Sequence, residues 1–190
     1  MKINIGGMPL GQKPPGFTEA LTGQGDAVNW QVLDDPGAPA RRAIAETSRD
    51  TADYRFPLCV WDGLQASDVK VTIRFKAVDG SVDQAGGIVT RFQDHDNYYV
   101  ARANALEDNV RLYKVVSGVR RQLAGKSVPV LSAVWHTLEL RSEGEELEVL
   151  FNGASLMQIR DQTFVQAGKV GIWTKADSLT HFAEIDIEAR

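Results

Sequence analysis

The chain has 190 residues, 43% hydrophobic and 24% charged, with a net charge of −4. That length and balance suit one globular domain with a substantial core. The acidic balance argues against a nucleic-acid binder, which needs surplus Lys and Arg, and no apolar run approaches the ~20 residues of a membrane-spanning helix.

Residues 1–16 carry Gly6, Gly7, Pro9, Gly11, Pro14, Pro15 and Gly16, a run that excludes a helix or central strand. They read as a flexible lead-in, with the domain proper at 17–190. This segment has no apolar core of signal-peptide length, which leaves the compartment open. Short strands are predicted at Val28–Leu33, Ala43–Thr47 and Phe56–Trp61, the first two split by the turn signal Asp34-Asp35-Pro36-Gly37. Cys59 lies inside the third. It is the one cysteine, so no internal disulfide forms, and its apolar setting predicts an inert buried thiol.

The clearest strand is Ser67–Val78, where Val69, Val71, Ile73 and Phe75 alternate with Lys70, Thr72, Arg74 and Lys76. Gly86–Val116 then reads as a meander of three strands, Gly87–Phe92, Tyr98–Asn104 and Val110–Val116. Arg120–Leu123 follows. Trp135–Arg141 pairs with Leu147–Phe151, and Asn152-Gly153 is the dipeptide of a tight type I′ turn into Ser155–Arg160. Thr163–Gln166 is a helical or irregular link, and Lys169–Lys175 and His181–Glu188 close the chain. About a dozen short strands without helical periodicity predict an all-β fold, a two-sheet antiparallel jelly-roll sandwich.

Alternation within the meander sorts side chains between core and open face. With Tyr99, Ala101, Ala103, Val110, Leu112, Val170 and Ile172 inward, the outward set is Arg91, Tyr98, Arg102, Asn104, Arg111, Tyr113, Trp173 and Lys175. Arg91 joins it because a buried unpaired arginine is costly. Aromatic faces cover the apolar side of a pyranose while Arg and Asn donate to hydroxyls, and several guanidinium groups together favour a carboxylated or sulfated glycan. The alternative is an ordinary wet sheet face with arginines paired to acids across strands, or a protein-partner surface.

Other constellations are weaker. Glu184-Ile185-Asp186-Ile187-Glu188 matches the core of the E-x-D-x-E signature of family 16 glycoside hydrolases. The nucleophile and acid of that signature would be Glu184 and Glu188, however, which on a flat strand stand roughly 13 Å apart against ~5–5.5 Å for a retaining pair, and alternating acid and isoleucine is what a closing strand presents anyway. Asp94, Asp96 and Asn97 read as a hairpin turn before a calcium loop. The scattered His95, His136 and His181 make no zinc spacing, so no metal site and no cofactor are predicted. A structural calcium held by backbone carbonyls would leave no sequence mark. Gly86-Gly87 is read as permission for close packing.

Trp135-His136-Thr137 followed by Gly144, Leu147-Glu148-Val149 and Asn152-Gly153 resembles the laminin-G-like pattern. The stretches GGIVTRFQDHDNYYVARANALEDNVRLYKV and KVGIWTKADSLTHFAEI resemble the concanavalin A-like jelly roll of the bacterial 3-keto-disaccharide hydrolase group. Phe182-Ala183-Glu184-Ile185 departs from the phenylalanine-acid-acid ending common there. The resemblance implies a concanavalin A-like lectin/glucanase fold whose concave sheet receives carbohydrate, and a periplasmic or secreted setting. The leading expectation is glycan binding on that sheet. The second is glycoside cleavage, for which Glu107 and Asp108, in the loop beside the face, are the candidate catalytic acids. The third is a protein-interaction module.

Overall fold

The computed structural model describes residues 1–189. Their fourteen strands are β1 (Phe17–Gly23), β2 (Trp30–Asp34), β3 (Arg42–Glu46), β4 (Arg55–Ala66), β5 (Val69–Asp79), β6 (Ala85–Asp94) and β7 (Asn97–Asn104), then β8 (Asn109–Val116), β9 (Val119–Ser127), β10 (His136–Glu143), β11 (Glu146–Phe151), β12 (Ala154–Arg160), β13 (Gly168–Trp173) and β14 (Leu179–Ala189). They build two seven-stranded sheets, in the orders β1-β4-β13-β6-β7-β8-β9 and β12-β11-β10-β5-β14-β3-β2, and every pairing is antiparallel. The expected all-β sandwich is therefore present.

The main core lies between the sheets, where Val71, Ile73 and Phe75 of β5 meet Tyr99, Ala101 and Ala103 of β7 and Val110 and Leu112 of β8. The period of two that these strands carry is what places them there. Gly86 serves the same layer, because a Cβ on it would come within 2.9 Å of the Phe75 ring. Asn152 and Gly153 both have left-handed backbone, with φ of 48° and 81°, as a type I′ turn requires.

Residues 1–16 differ from the flexible lead-in expected of their glycines and prolines. Ile3 N–H donates to Ile185 O and Ile187 N–H to Met1 O, and Gly11 and Gln12 pair with Val32 on the opposite edge. Ile3, Ile5 and Met8 enter the main core. Burial of three apolar side chains outweighs the backbone penalties of the segment. The strand β1, which sequence alternation does not mark, is an edge strand with only Phe17 and Thr22 buried.

The outer face of the first sheet carries a second apolar cluster: Phe56, Leu58 and Val60 of β4, Trp173 of β13, Val89 of β6, Tyr98 and Val100 of β7, and Tyr113 and Val115 of β8. A flat sheet would leave this face wet. Here it curls. Tyr98 Oη lies 2.8 Å from Thr22 Oγ1, although β7 and β1 stand four steps apart, roughly 19 Å in a flat sheet at ~4.8 Å per step. Tyr54, just before β4, donates its hydroxyl to Gly118 O at 2.9 Å and accepts the Arg120 N–H at 2.9 Å in the β8–β9 turn. This face is thus concave, and two diagonal corners of the sheet meet over it.

Candidate functional site

The polar groups gather on the remaining part of the concave face, where β7, β8 and β9 begin or end beside the loops 48–54 and 80–84. Tyr113 is the centre. Its hydroxyl lies 3.3 Å from Arg102 Nη2 and 3.4 Å from Arg111 Nη1, and the Arg120 guanidinium covers its ring at 4.5 Å. Glu107 faces this group: its Oε2 accepts from Arg102 Nη2 at 2.8 Å and Asn109 Nδ2 at 3.1 Å, and stands 3.4 Å from Arg111 Nη2. Burial alone would raise the Glu107 carboxyl, but these bonds and the two guanidinium charges hold it at about 2.

A second polar knot adjoins. Lys175 Nζ bridges Asp53 at 2.5 Å and Asp83 at 2.9 Å, and Asn104 Nδ2 donates to Asp83 at 2.6 Å. The loop that delivers Asp83 is tied down by Asp177, whose carboxylate accepts from the N–H groups of Ser81, Val82 and Asp83 and from the Ser81 hydroxyl. The loop that delivers Asp53 and Tyr54 is tied down by buried Arg55, which bonds Asp26 O, Ala176 O and Ser48 and pairs with buried Glu46 at 3.6 Å. Beside Arg111, a shallow hollow of about 210 Å³ is lined by Asn109, Arg111, Gln122, Gly125, Lys126 and Ser127.

Of the residues expected on the open face, Arg102, Asn104, Arg111, Tyr113 and Lys175 converge on this place, and Tyr98 and Trp173 share the face. Arg102, Asn104 and Tyr113 are buried there like Tyr98 and Trp173, and Arg111 is the most open of the set. Tyr98 is the closed corner's bolt. Asn104 caps the β7–β8 turn, its Oδ1 accepting the Leu106 and Glu107 N–H groups. Trp173 stacks on Phe56 at 5.5 Å and is roofed by Arg120. Gly87 allows this, since a Cβ there would press within 3.3 Å of the Trp173 ring and 3.2 Å of Arg102.

Arg91 corrects the expectation. It has φ of 49° at a register break in β6, so the alternation that holds through Val89 fails at this residue. The fully buried side chain turns away and donates to Ser67 O, Phe164 O and Gly144 O at 2.6–2.8 Å, with Asp68 3.6 Å away. Three carbonyls and one acid supply the partners whose absence would have excluded burial.

Asp108 accepts the Val130 N–H and anchors the loop after β9, away from Tyr113. Glu184, Asp186 and Glu188 lie on the outer face of the second sheet, each tied to a cation: Lys2 at 2.6 Å, the amino terminus at 3.7 Å and Lys70 at 2.5 Å. Asp94 closes the β6–β7 turn by accepting from Asp96 N and Asn97 Nδ2. Among the described residues no group of three or more His, Cys, Asp or Glu stands ready for a metal ion. Cys59 is buried, which pushes its thiol up.

Sequence reasoning missed Asp53, Asp83, Asn109, Arg120 and Gln122. Asp53 and Asp83 sit in loops and Asn109 is the first residue of β8, places that carry little face signal. Arg120 opens a short strand in which Arg121 alternates with it, so either could have faced inward.

The curled seven-stranded sheet backed by a second defines the class: a galectin-like jelly-roll sandwich. No family model and no curated protein matches the chain. Among solved structures, it is similar to the carbohydrate-binding module CBM66 of Bacillus subtilis, at 19% identity over 92% of this chain and 96% of that one, with a TM-score of 0.73. It is also similar to a protein of unknown function with a galectin-like fold from Bacillus subtilis (10% identity, 90% of each chain, TM-score 0.62). A third likeness is to domain 4 of AbnA, a GH43 extracellular arabinanase from Geobacillus stearothermophilus, in complex with arabinotriose (12% identity, 93% of this chain and 83% of that one, TM-score 0.59). These likenesses concern the fold.

Proposed function

We propose that this chain is a carbohydrate-binding domain whose ligand enters at the polar part of the concave face, against Arg111, Glu107, Asn109, Gln122, Asp53 and Lys175. The observation that carries the reading is the Arg102–Glu107–Arg111–Tyr113 cluster. Cations, a carboxylate and the Asn109 amide are held together there, a mix of donors and acceptors that a sugar's hydroxyls require. The fold shared with a carbohydrate-binding module and an arabinanase domain supports it by analogy. Four cations, Arg102, Arg111, Arg120 and Lys175, face three carboxylates, Glu107, Asp53 and Asp83. We therefore take the glycan to be acidic.

The hydrolase reading that comes with the resemblance to the 3-keto-disaccharide hydrolase group would need a proton donor. Glu107, held at about 2, keeps no proton at neutral pH and suits hydrogen-bond acceptance from hydroxyls instead.

A glycan array followed by calorimetry with neutral and acidic oligosaccharides tests the proposal. Binding is expected, with Arg111→Ala and Glu107→Gln each weakening it about tenfold or more, the loss of a charge-assisted hydrogen bond. No binding to any sugar would overturn the proposal.

A further inference from the structure

Arg120 is the cation of this site that no carboxylate touches, Asp83 and Asp53 acting on it only from beyond ion-pair distance. Glu107 answers Arg102 and Arg111, and Asp53 and Asp83 answer Lys175. Arg120 makes no ion pair with any described residue. Its guanidinium lies instead over three rings, 4.4 Å from Phe56, 4.5 Å from Tyr113 and 5.9 Å from Trp173. Stacking of this kind holds a cation in place.

The hydrogen-bond inventory leads to the same place. Arg120 Nη1 and Arg102 Nε are buried and have no acceptor, and Arg102 is only 2% exposed. Both are donors, set beside the Tyr113 ring. Buried donors left unpaired are costly, so a ligand group that only accepts gains most there. A sugar hydroxyl brings a proton of its own that must find an acceptor. A carboxylate brings none, and its two coplanar oxygens match the guanidinium fork.

We propose that Arg120 is the specificity-determining residue of the site, and that it receives the carboxylate of an acidic sugar in the position an aspartate or glutamate would hold in an ordinary buried ion pair. This rests on the glycan reading above. It adds which group of the sugar is recognised and by which side chain.

The test is calorimetry on the full chain with three oligosaccharides of one backbone: a uronic acid oligomer, its carboxyl-reduced neutral counterpart, and a sulfated form of the neutral one. The wild type is expected to bind the uronic acid form at least tenfold more tightly than the neutral form, with an advantage that shrinks as salt rises. Arg120→Gln is expected to reduce that advantage to within twofold. Arg120→Lys, which keeps the charge without the fork, is expected to lose at least several-fold of it, and serves if the glutamine variant fails to fold. Equal wild-type affinity for acidic and neutral forms overturns the proposal, as does an unchanged ratio in both variants. Tighter binding of the sulfated form overturns the carboxylate assignment. Binding of none of the three by the wild type instead removes the glycan reading on which the proposal stands.

Discussion

Asp35 illustrates how one residue carries stability here. Its turn, Asp34-Asp35-Pro36-Gly37, is plain in the sequence, but its partners are not. Lys76 Nζ lies 2.6 Å from its Oδ2, His181 Nδ1 2.7 Å, and the Gly37 N–H donates to Oδ1 at 2.9 Å. Burial alone would raise this carboxyl, yet these donors hold it at about 2, against 3.8 in an open chain. A lowered folded value means that the bond's contribution is complete above pH ~4 and lost as pH falls through ~2, and such a difference corresponds to about 2 kcal/mol. Urea unfolding of the wild type at pH 6, 4 and 2 is expected to show that loss between pH 4 and 2. Asp35→Asn is expected to flatten the drop, and an equally steep decline in the variant would contradict the assignment. Arg91 makes the complementary point. The cost of burying an arginine argues for the open face only while its partners are unknown, and three carbonyls from distant loops reverse the conclusion.

Elements were legible where side chains alternate between two faces with a period of two. The strands β5, β7, β8 and β10 follow their alternation, and the Asn152-Gly153 turn follows its chemistry. The strand β1 was not legible because an edge strand buries little, and the irregularity of β6 was not because a left-handed Arg91 has no sequence signature. The curl of the first sheet belongs to this scale as well. It depends on Tyr54 and Thr22 reaching across four or more strand spacings, which no local pattern encodes. Tyr54→Phe removes the hydroxyl's bonds to Gly118 O and the Arg120 N–H, and is expected to cost about 1–2 kcal/mol in thermal or urea unfolding. Hydrogen exchange at Gly118–Arg120 should quicken in the same variant. Unchanged exchange there would mean that the corner is held by packing alone.

At the scale of the whole molecule, the lead-in is part of the sandwich. Ile3, Ile5 and Met8 are core residues, and Met1–Ile3 runs along β14. Deleting residues 1–8 is expected to lower unfolding stability by roughly 5 kcal/mol, at ~1.5–3 kcal/mol for each buried apolar side chain. A truncated chain as stable as the full one would return the segment to the role of a tail. The same scale explains why most of the predicted face is closed. With two corners drawn together, Tyr98, Val100, Phe56, Tyr113 and Trp173 become a second core with Arg102 buried beside it, and Arg111 and Glu107 are left at the surface.

The sequence by itself determined the fold class, most strand positions and the side of the sheet on which Arg102, Arg111, Tyr113 and Trp173 stand, because strand periodicity is a local property with a fixed period of two. Only the tertiary structure decided which of them reach solvent, where Arg91 goes, and that Asp53, Asp83 and Arg120 join the site. Those outcomes depend on sheet curvature, a single left-handed residue and contacts between loops far apart in the chain, none of which leaves a mark in the spacing of neighbouring residues.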